Sequence, residues 1–193
     1  MFLQTGCAAP GCGRPSVFLL DTCLAHAADP RGYPGLFSGH LAGSPRLSDL
    51  NLEGLEAEGL DFRGKRIRCL LLSRARLAGA RFDEARIRLL FLDFASLTDC
   101  SFDGCKAHCL VLGGATVERC SFRGTDLLRC NFVGIRGRDC VFDGSDLYAS
   151  RFTSAVLERA SFRDCNLKRV RFEGASLSEV DFQASNTEEA FFQ

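Results

Sequence analysis

Neither sign of charge is in excess in this 193-residue chain, where 24 Lys+Arg stand against 24 Asp+Glu for a formal net charge of zero. No general electrostatic pull toward nucleic acid or an anionic membrane surface is therefore expected. Long apolar runs are also missing. Stretches such as Val17–Leu20 and Leu89–Leu92 fall far short of the about 20 residues that span a bilayer. The start, Met1–Cys12, lacks the basic region and apolar block of a secretory leader. Leu3–Cys7 faintly resembles a lipoprotein cleavage box, but nothing upstream of it could insert. No phosphate loop or dinucleotide fingerprint is present. The expectation is a cytoplasmic protein without a membrane partner, whose eleven cysteines are reduced thiols.

What the sequence does have is a clock. Every fifth position from Leu47 to Phe192 is apolar with few exceptions: of 30 such positions, 26 are Leu, Ile, Val or Phe, and no insertion breaks the phase. Two residues before each lies a second series that is mostly small, including Ala75, Ala80, Ala95, Cys100, Cys120, Cys140 and Cys165. A five-residue step turns about 140° on a helix, which would scatter these residues around the surface. On a strand of period two it would alternate faces. A short extended piece, in–out–in, followed by a turn satisfies both series, and the recurrent glycines (Gly54, Gly64, Gly104, Gly124, Gly144) supply the turns.

A longer period lies inside the short one. Phe62, Phe82, Phe102, Phe122, Phe142, Phe162 and Phe182 recur at every fourth pentad, so four pentads make one coil, a square with one pentad per side. A second ladder checks the register. Leu72, Leu92 and Leu112 accompany the large Leu70, Leu90 and Leu110, whereas Phe132, Phe152 and Phe172 accompany Cys130, Ser150 and Val170. When the central residue grows its neighbour shrinks, as close packing requires. Gly137 reverses the compensation, with Ile135 beside it.

This pattern resembles the pentapeptide-repeat proteins, whose units read Ala-(Asp/Asn)-Leu-X-X, as in Ser145-Asp146-Leu147-Tyr148-Ala149 and Cys165-Asn166-Leu167-Lys168-Arg169. The resemblance covers residues 45–193. It implies an all-β solenoid, a right-handed quadrilateral parallel β-helix of about 7 coils with a small N-terminal cap module. Lys65 departs from the pattern by standing at an inward position, where an unpaired ammonium is costly.

Residues 1–44 do not share the clock. They carry Cys7, Cys12, Cys23 and His26, spaced C-x4-C-x10-C-x2-H. Four sulfur and nitrogen ligands in two close pairs suit a structural zinc site, with no position left open for catalysis. Gly11-Cys12-Gly13 resembles a zinc knuckle and Asp21–His26 a helix opening that brings Cys23 and His26 to one side, as in treble-clef modules. A metal-free thiol cap and a disulfide are the other readings of the same residues. The Pro- and Gly-rich segment 27–44 reads as a connector that caps the first coil.

Elsewhere chemistry is sparse. Six cysteines (Cys100, Cys105, Cys120, Cys130, Cys140, Cys165) fall on the small inward series and read as buried fillers. His108 adjoins Cys109 without a third group, and pairs such as Asp143/Asp146 and Glu188/Glu189 fit a charged repeat surface. Basic residues crowd Arg63–Arg88, while acids dominate from Glu173 onward. Leu71, Phe91 and Val111 stack at outward positions one coil apart, a stripe that the N-terminal module could cover. Phe191 and Phe192 leave the last coil sticky, which points to homodimerisation there.

The function expected is a non-enzymatic protein-interaction scaffold with a structural zinc site and an unidentified protein partner. Two alternatives remain. From the family resemblance comes DNA mimicry with binding to DNA gyrase or topoisomerase, which net charge zero and the basic coils oppose. The other is nucleic-acid binding through the zinc module and basic coils, held the less favoured.

Overall fold

The structure, a computed structural model, describes residues 5–193, so the Leu3–Cys7 stretch and the 1–44 module both begin outside the described residues. From residue 45 onward the chain winds as a four-sided coil of parallel strands. One face is formed by Arg46–Leu47, Arg66–Ile67, Arg86–Ile87 and Lys106–Ala107, each paired in register with its counterpart one coil away. The second face stacks Leu50–Asn51, Leu70–Leu71, Leu90–Phe91 and Leu110–Val111. The third carries seven three-residue strands, from Glu56–Glu58 to Ser176–Ser178. Single-residue bridges, Asp61 to Arg81 to Ser101 and on to Asp181, make the fourth. With four pentads to a coil, residues 45–193 complete the seven or so turns that the periodicity predicts.

The corners follow from backbone sterics. Of the 29 corner positions between Asp49 and Glu189, 26 have positive φ, but only ten of those are glycine. The exceptions are Cys69, Leu89 and Cys109, one corner of three successive coils, each just ahead of a large inward leucine (Leu70, Leu90, Leu110). These are not the positive-φ turns expected at that position. At this corner Cys69 is buried, 2% exposed, while Leu89 and Cys109 are half-buried.

The interior is two ladders of rings. Phe62, Phe82, Phe102, Phe122, Phe142 and Phe162 stack with centroids 4.4–4.8 Å apart, the spacing that the coil repeat imposes. From Phe132 onward a second ladder meets the first edge-on, as in Phe132–Phe142 at 5.9 Å and 87°. Each fully buried phenylalanine contributes about 2–3 kcal/mol of apolar transfer. At Gly137 a β-carbon would lie 2.8 Å from Leu157 Cδ2, so the next coil fills the space the missing side chain leaves, together with buried Ile135.

Most of the inward cysteines and serines make a regular bond to the coil before. Cys100 Sγ donates to Leu77 O, Cys140 Sγ to Val117 O, Ser145 Oγ to Phe122 O and Ser150 Oγ to Leu127 O, each 23 residues back. Among the described residues no buried side-chain nitrogen or oxygen lacks a partner.

Segment 27–44 packs against the first coils, and most of it is helical. Tyr33–Gly43 is an α-helix, with Pro34 in its first turn, where the missing N–H is harmless. Its glycines disfavour a helix, but Tyr33, Phe37 and Leu41, spaced four apart, are all buried. The Phe37 ring lies 6.3 Å from Phe62 and so begins the phenylalanine ladder. Lys65 now has its explanation. Its ammonium donates to Leu41 O at 2.8 Å and Ser44 O at 3.0 Å, capping the carbonyl end of this helix. No helix among the described residues is long and apolar enough to cross a membrane.

Candidate metal centre

The N-terminal module is built from a narrow hairpin and a single helical turn. Gly6 bridges Pro15 in antiparallel fashion, Cys7 N–H donates to Arg14 O at 2.9 Å, and Cys12 N–H closes a turn onto Ala9 O at 3.1 Å. Gly11, at the tip with φ +74°, permits that turn. The hairpin thus carries Cys7 and Cys12 on adjacent sides of one knuckle. Leu24–His26 forms a 3-10 turn with Cys23 immediately before it, and Ala8 N–H donates to Asp21 O, fastening turn to hairpin. The expected helix opening is therefore one turn long, and it does bring Cys23 and His26 together.

All four predicted residues converge. The ligand atoms of Cys7, Cys12, Cys23 and His26 lie within 4.8 Å of one another. Cys7 Sγ is 3.5 Å and Cys23 Sγ 3.6 Å from His26 Nδ1, and the Cys12 and Cys23 sulfurs are 3.9 Å apart. A tetrahedron with metal–sulfur bonds near 2.3 Å and metal–nitrogen bonds near 2.0–2.1 Å has edges of about 3.8 Å between sulfurs and about 3.6 Å between sulfur and nitrogen. Three of the six edges thus already match a tetrahedral site, and the four donors could hold a metal ion. The sulfurs are too far apart for a disulfide bond, which requires about 2.05 Å, and all three cysteines are free thiols.

The electrostatics of the group favour a thiolate at one position. The Cys23 backbone amide donates to the Cys7 sulfur and, with smaller help from Ala9 and His26, lowers that thiol to about 6. At Cys12 a bond from the Arg14 backbone pulls downward, but burial and the sulfurs of Cys7 and Cys23 together raise it. Two buried thiols and an exposed His26 leave one side of the group open to solvent, the side from which an ion would enter.

The module is clamped to the coils. Phe18 N–H donates to Asn51 O, Asn51 Nδ2 donates to Ser16 O at 2.7 Å, and Tyr33 Oη donates to Phe18 O at 2.7 Å. Asn51 is the first rung of the outward column that continues as half-buried Leu71, Phe91 and Val111. Burial raises the Tyr33 hydroxyl, which keeps it a neutral donor. Nothing in the spacing of 16, 18, 33 and 51 announced this clamp, because its partners meet only across the fold. His40 lies in the helix with its ring edge on Phe18 and Nε2 3.2 Å from Ser44 Oγ.

Other candidates do not assemble into a site. Cys105 and Cys130 are raised to about 12 and Cys140 to about 11, in each case chiefly by burial, which leaves them poor nucleophiles. Glu188 and Glu189 are ion-paired with Lys168, and Glu189 also with Arg169.

Several solved structures are similar to this chain. HetL, a pentapeptide repeat protein involved in heterocyst differentiation regulation in the cyanobacterium Nostoc sp. strain PCC 7120, is 17% identical over 81% of this chain and 92% of its own, with a TM-score of 0.22. Rfr23, a pentapeptide repeat protein of the cyanobacterium Cyanothece 51142, is 18% identical over 82% of this chain and 97% of its own, with a TM-score of 0.24. A trypsin-treated form of QnrB1, a plasmid-mediated fluoroquinolone resistance protein, is 13% identical over 72% and 90%, with a TM-score of 0.25. No curated protein matches the sequence. Residues 115–192 match the family model of the pentapeptide repeat region, and the same register runs unbroken back to Leu47 through the same four-sided coils. The chain thus carries a pentapeptide repeat region over residues 115–192, coils of the same register before it, and an N-terminal Cys/His module.

Proposed function

We propose that the protein is a non-enzymatic protein-interaction scaffold of a reducing, cytoplasmic compartment, its coils closed at the N-terminal end by a structural zinc site of Cys7, Cys12, Cys23 and His26. The observation that carries the reading is the agreement of the 3.5, 3.6 and 3.9 Å ligand separations with the edges of a zinc tetrahedron. Zinc filled by four protein ligands has no position for substrate, and its contribution is to folding. The clamp through Ser16, Phe18 and Asn51 transmits that contribution to the first coil. The flat faces of the rod and its inert inward thiols suit binding better than catalysis.

Native mass spectrometry of protein expressed in a reducing cytosol tests this. One zinc per chain, lost in Cys23→Ser and in His26→Ala, is expected; a metal-free mass for the unaltered chain would overturn it. The same spectrum reads a second part of the proposal, homodimerisation through the last coil. That coil presents Phe191 and Phe192, 52% and 45% exposed. A dimer that becomes monomeric in Phe191→Ser/Phe192→Ser is expected, and a concentration-independent monomer would sink it.

A further inference from the structure

One face of the first four coils breaks the charge pattern of the rest of the surface. Elsewhere arginines are commonly answered by an acid one coil away: Arg119 by Asp99 at 2.7 Å, Arg159 by Asp139 at 2.8 Å and Arg76 by Glu56 at 3.1 Å. On the first face Arg46, Arg66, Arg86 and Lys106 are direct register partners in successive strands. Their backbones stand about 4.8 Å apart. Like charges opposite one another on neighbouring strands are destabilising, so this column works against the fold that carries it. Just past the ends of the same strands, Arg68, Arg88 and His108 form a second exposed column.

The two columns line a shallow groove of about 760 Å³. Within it Arg68 pairs with Asp49 and Lys106 lies 3.6 Å from Asp126. Arg46, Arg66, Arg86 and Arg88 have no carboxylate partner among the described residues. The backbone of the face has nothing to offer a ligand. Arg66, Arg68, Arg86 and Arg88 N–H groups all donate to the coil before. Recognition here rests on side-chain charge, and mainly on guanidinium forks, which match carboxylate geometry in a way an ammonium does not.

The length of the patch decides what fits it. In the same column Lys106 is followed by Asp126 and then Asp146. A long polyanion laid along the rod would meet carboxylates after three strand spacings, about 14 Å. The groove lining has no Phe, Tyr or Trp on which bases could stack, and His108 is its one ring. We infer that this face docks a short acidic segment of a partner protein, three or four carboxylates long. The inference rests on the scaffold reading above and names the class of its partner.

Fluorescence anisotropy with a labelled tetraglutamate peptide at low salt tests it, beside a labelled 30-base-pair DNA duplex. Arg66→Glu/Arg88→Glu is expected to weaken peptide binding at least tenfold, and Arg136→Glu/Arg151→Glu, on other faces, less than twofold. The first variant should melt no lower than the parent, because it places opposite charges beside Arg46 and Arg86. Absence of peptide binding, equal losses in both variants, or tighter binding of the duplex through the same arginines would overturn the inference. Zinc content of the same samples separates the two readings. A zinc-loaded protein that ignores the peptide sinks the docking face and leaves the cap, and a metal-free protein that binds it does the reverse.

Discussion

At the scale of single residues the solenoid is governed by its corners and its inward small positions. Sixteen corners between Asp49 and Glu189 hold a side chain at positive φ, a conformation that costs L-residues about 1 kcal/mol each. Ala149, at φ +56°, has little side chain to lose, so Ala149→Gly should raise stability by about 0.5–1 kcal/mol in urea unfolding. Gly124→Ala, at φ +59° with open space around it, should lower stability by a similar amount. Ser150 is the opposite kind of position, because its Oγ both donates to Leu127 O and accepts from Cys130 N–H. Ser150→Ala strands that buried amide and should destabilise by about 1–3 kcal/mol, with Ser150→Cys milder because the thiol still reaches the carbonyl, as at its cysteine counterparts. The Cys7 thiol carries a pH signature. Its pKa in the folded module is depressed to about 6 from an ordinary value near 9. The metal-free module should therefore gain stability as pH rises from 6 toward 9 and lose it as pH falls through 6. Alkylation of Cys7 in chelator-treated protein should be half-maximal near pH 6; a midpoint above 8 would contradict the hydrogen bond from Cys23.

At the scale of elements, the helix Tyr33–Gly43 shows where tertiary structure overrules propensity. Three glycines and a proline within its eleven residues argue for a loop, yet Tyr33, Phe37 and Leu41 lie on one side and each is buried. The four-residue spacing of those three side chains was the available signal, and the glycines masked it. Lys65 completes the element from outside, standing in a pentad position that apolar residues usually hold and reaching two carbonyls at the helix end. Lys65→Met would keep the stem and remove the donors, at a cost of about 1–3 kcal/mol, chiefly for Ser44 O, since Leu41 O still accepts the Ser44 N–H. Phe37→Ala would also remove the ring that covers Phe62, a loss of about 3–5 kcal/mol. Differential scanning calorimetry of the two variants checks both figures, and near-parental melting in either would deny the helix its capping role.

At the scale of the whole molecule, a solenoid is stabilised coil by coil, because each coil contacts mainly its neighbours. Disturbing one end should therefore open that end first. Removal of metal by a chelator, or Cys23→Ser, should speed amide exchange in residues 46–72 while residues 130–170 keep their protection. Hydrogen exchange read by mass spectrometry resolves the two regions. Uniform loss along the rod would mean that the module acts on something other than the first coil. The phenylalanine ladders mark the opposite end as a second weak point, since Phe62 to Phe172 are fully buried whereas Phe182 is only partly covered and Phe192 is exposed.

The coils were legible from the amino-acid order because their contacts repeat at fixed separations, one pentad and four pentads, so periodicity alone places each side chain inward or outward. The four residues of the Cys/His group were legible for a related reason, since cysteine and histidine in two close pairs have few other uses in so short a segment. The helix, the anchoring of Lys65 and the clamp of Ser16 and Phe18 on Asn51 were decided only in three dimensions. Their partners lie 21 to 35 residues apart with no repeating separation, and their stability comes from burial against a coil that must already exist. The basic column was present in the sequence as a crowd of arginines. Only the register of parallel strands turned it into one face, because stacking every twentieth residue places like charges side by side that the chain itself holds well apart.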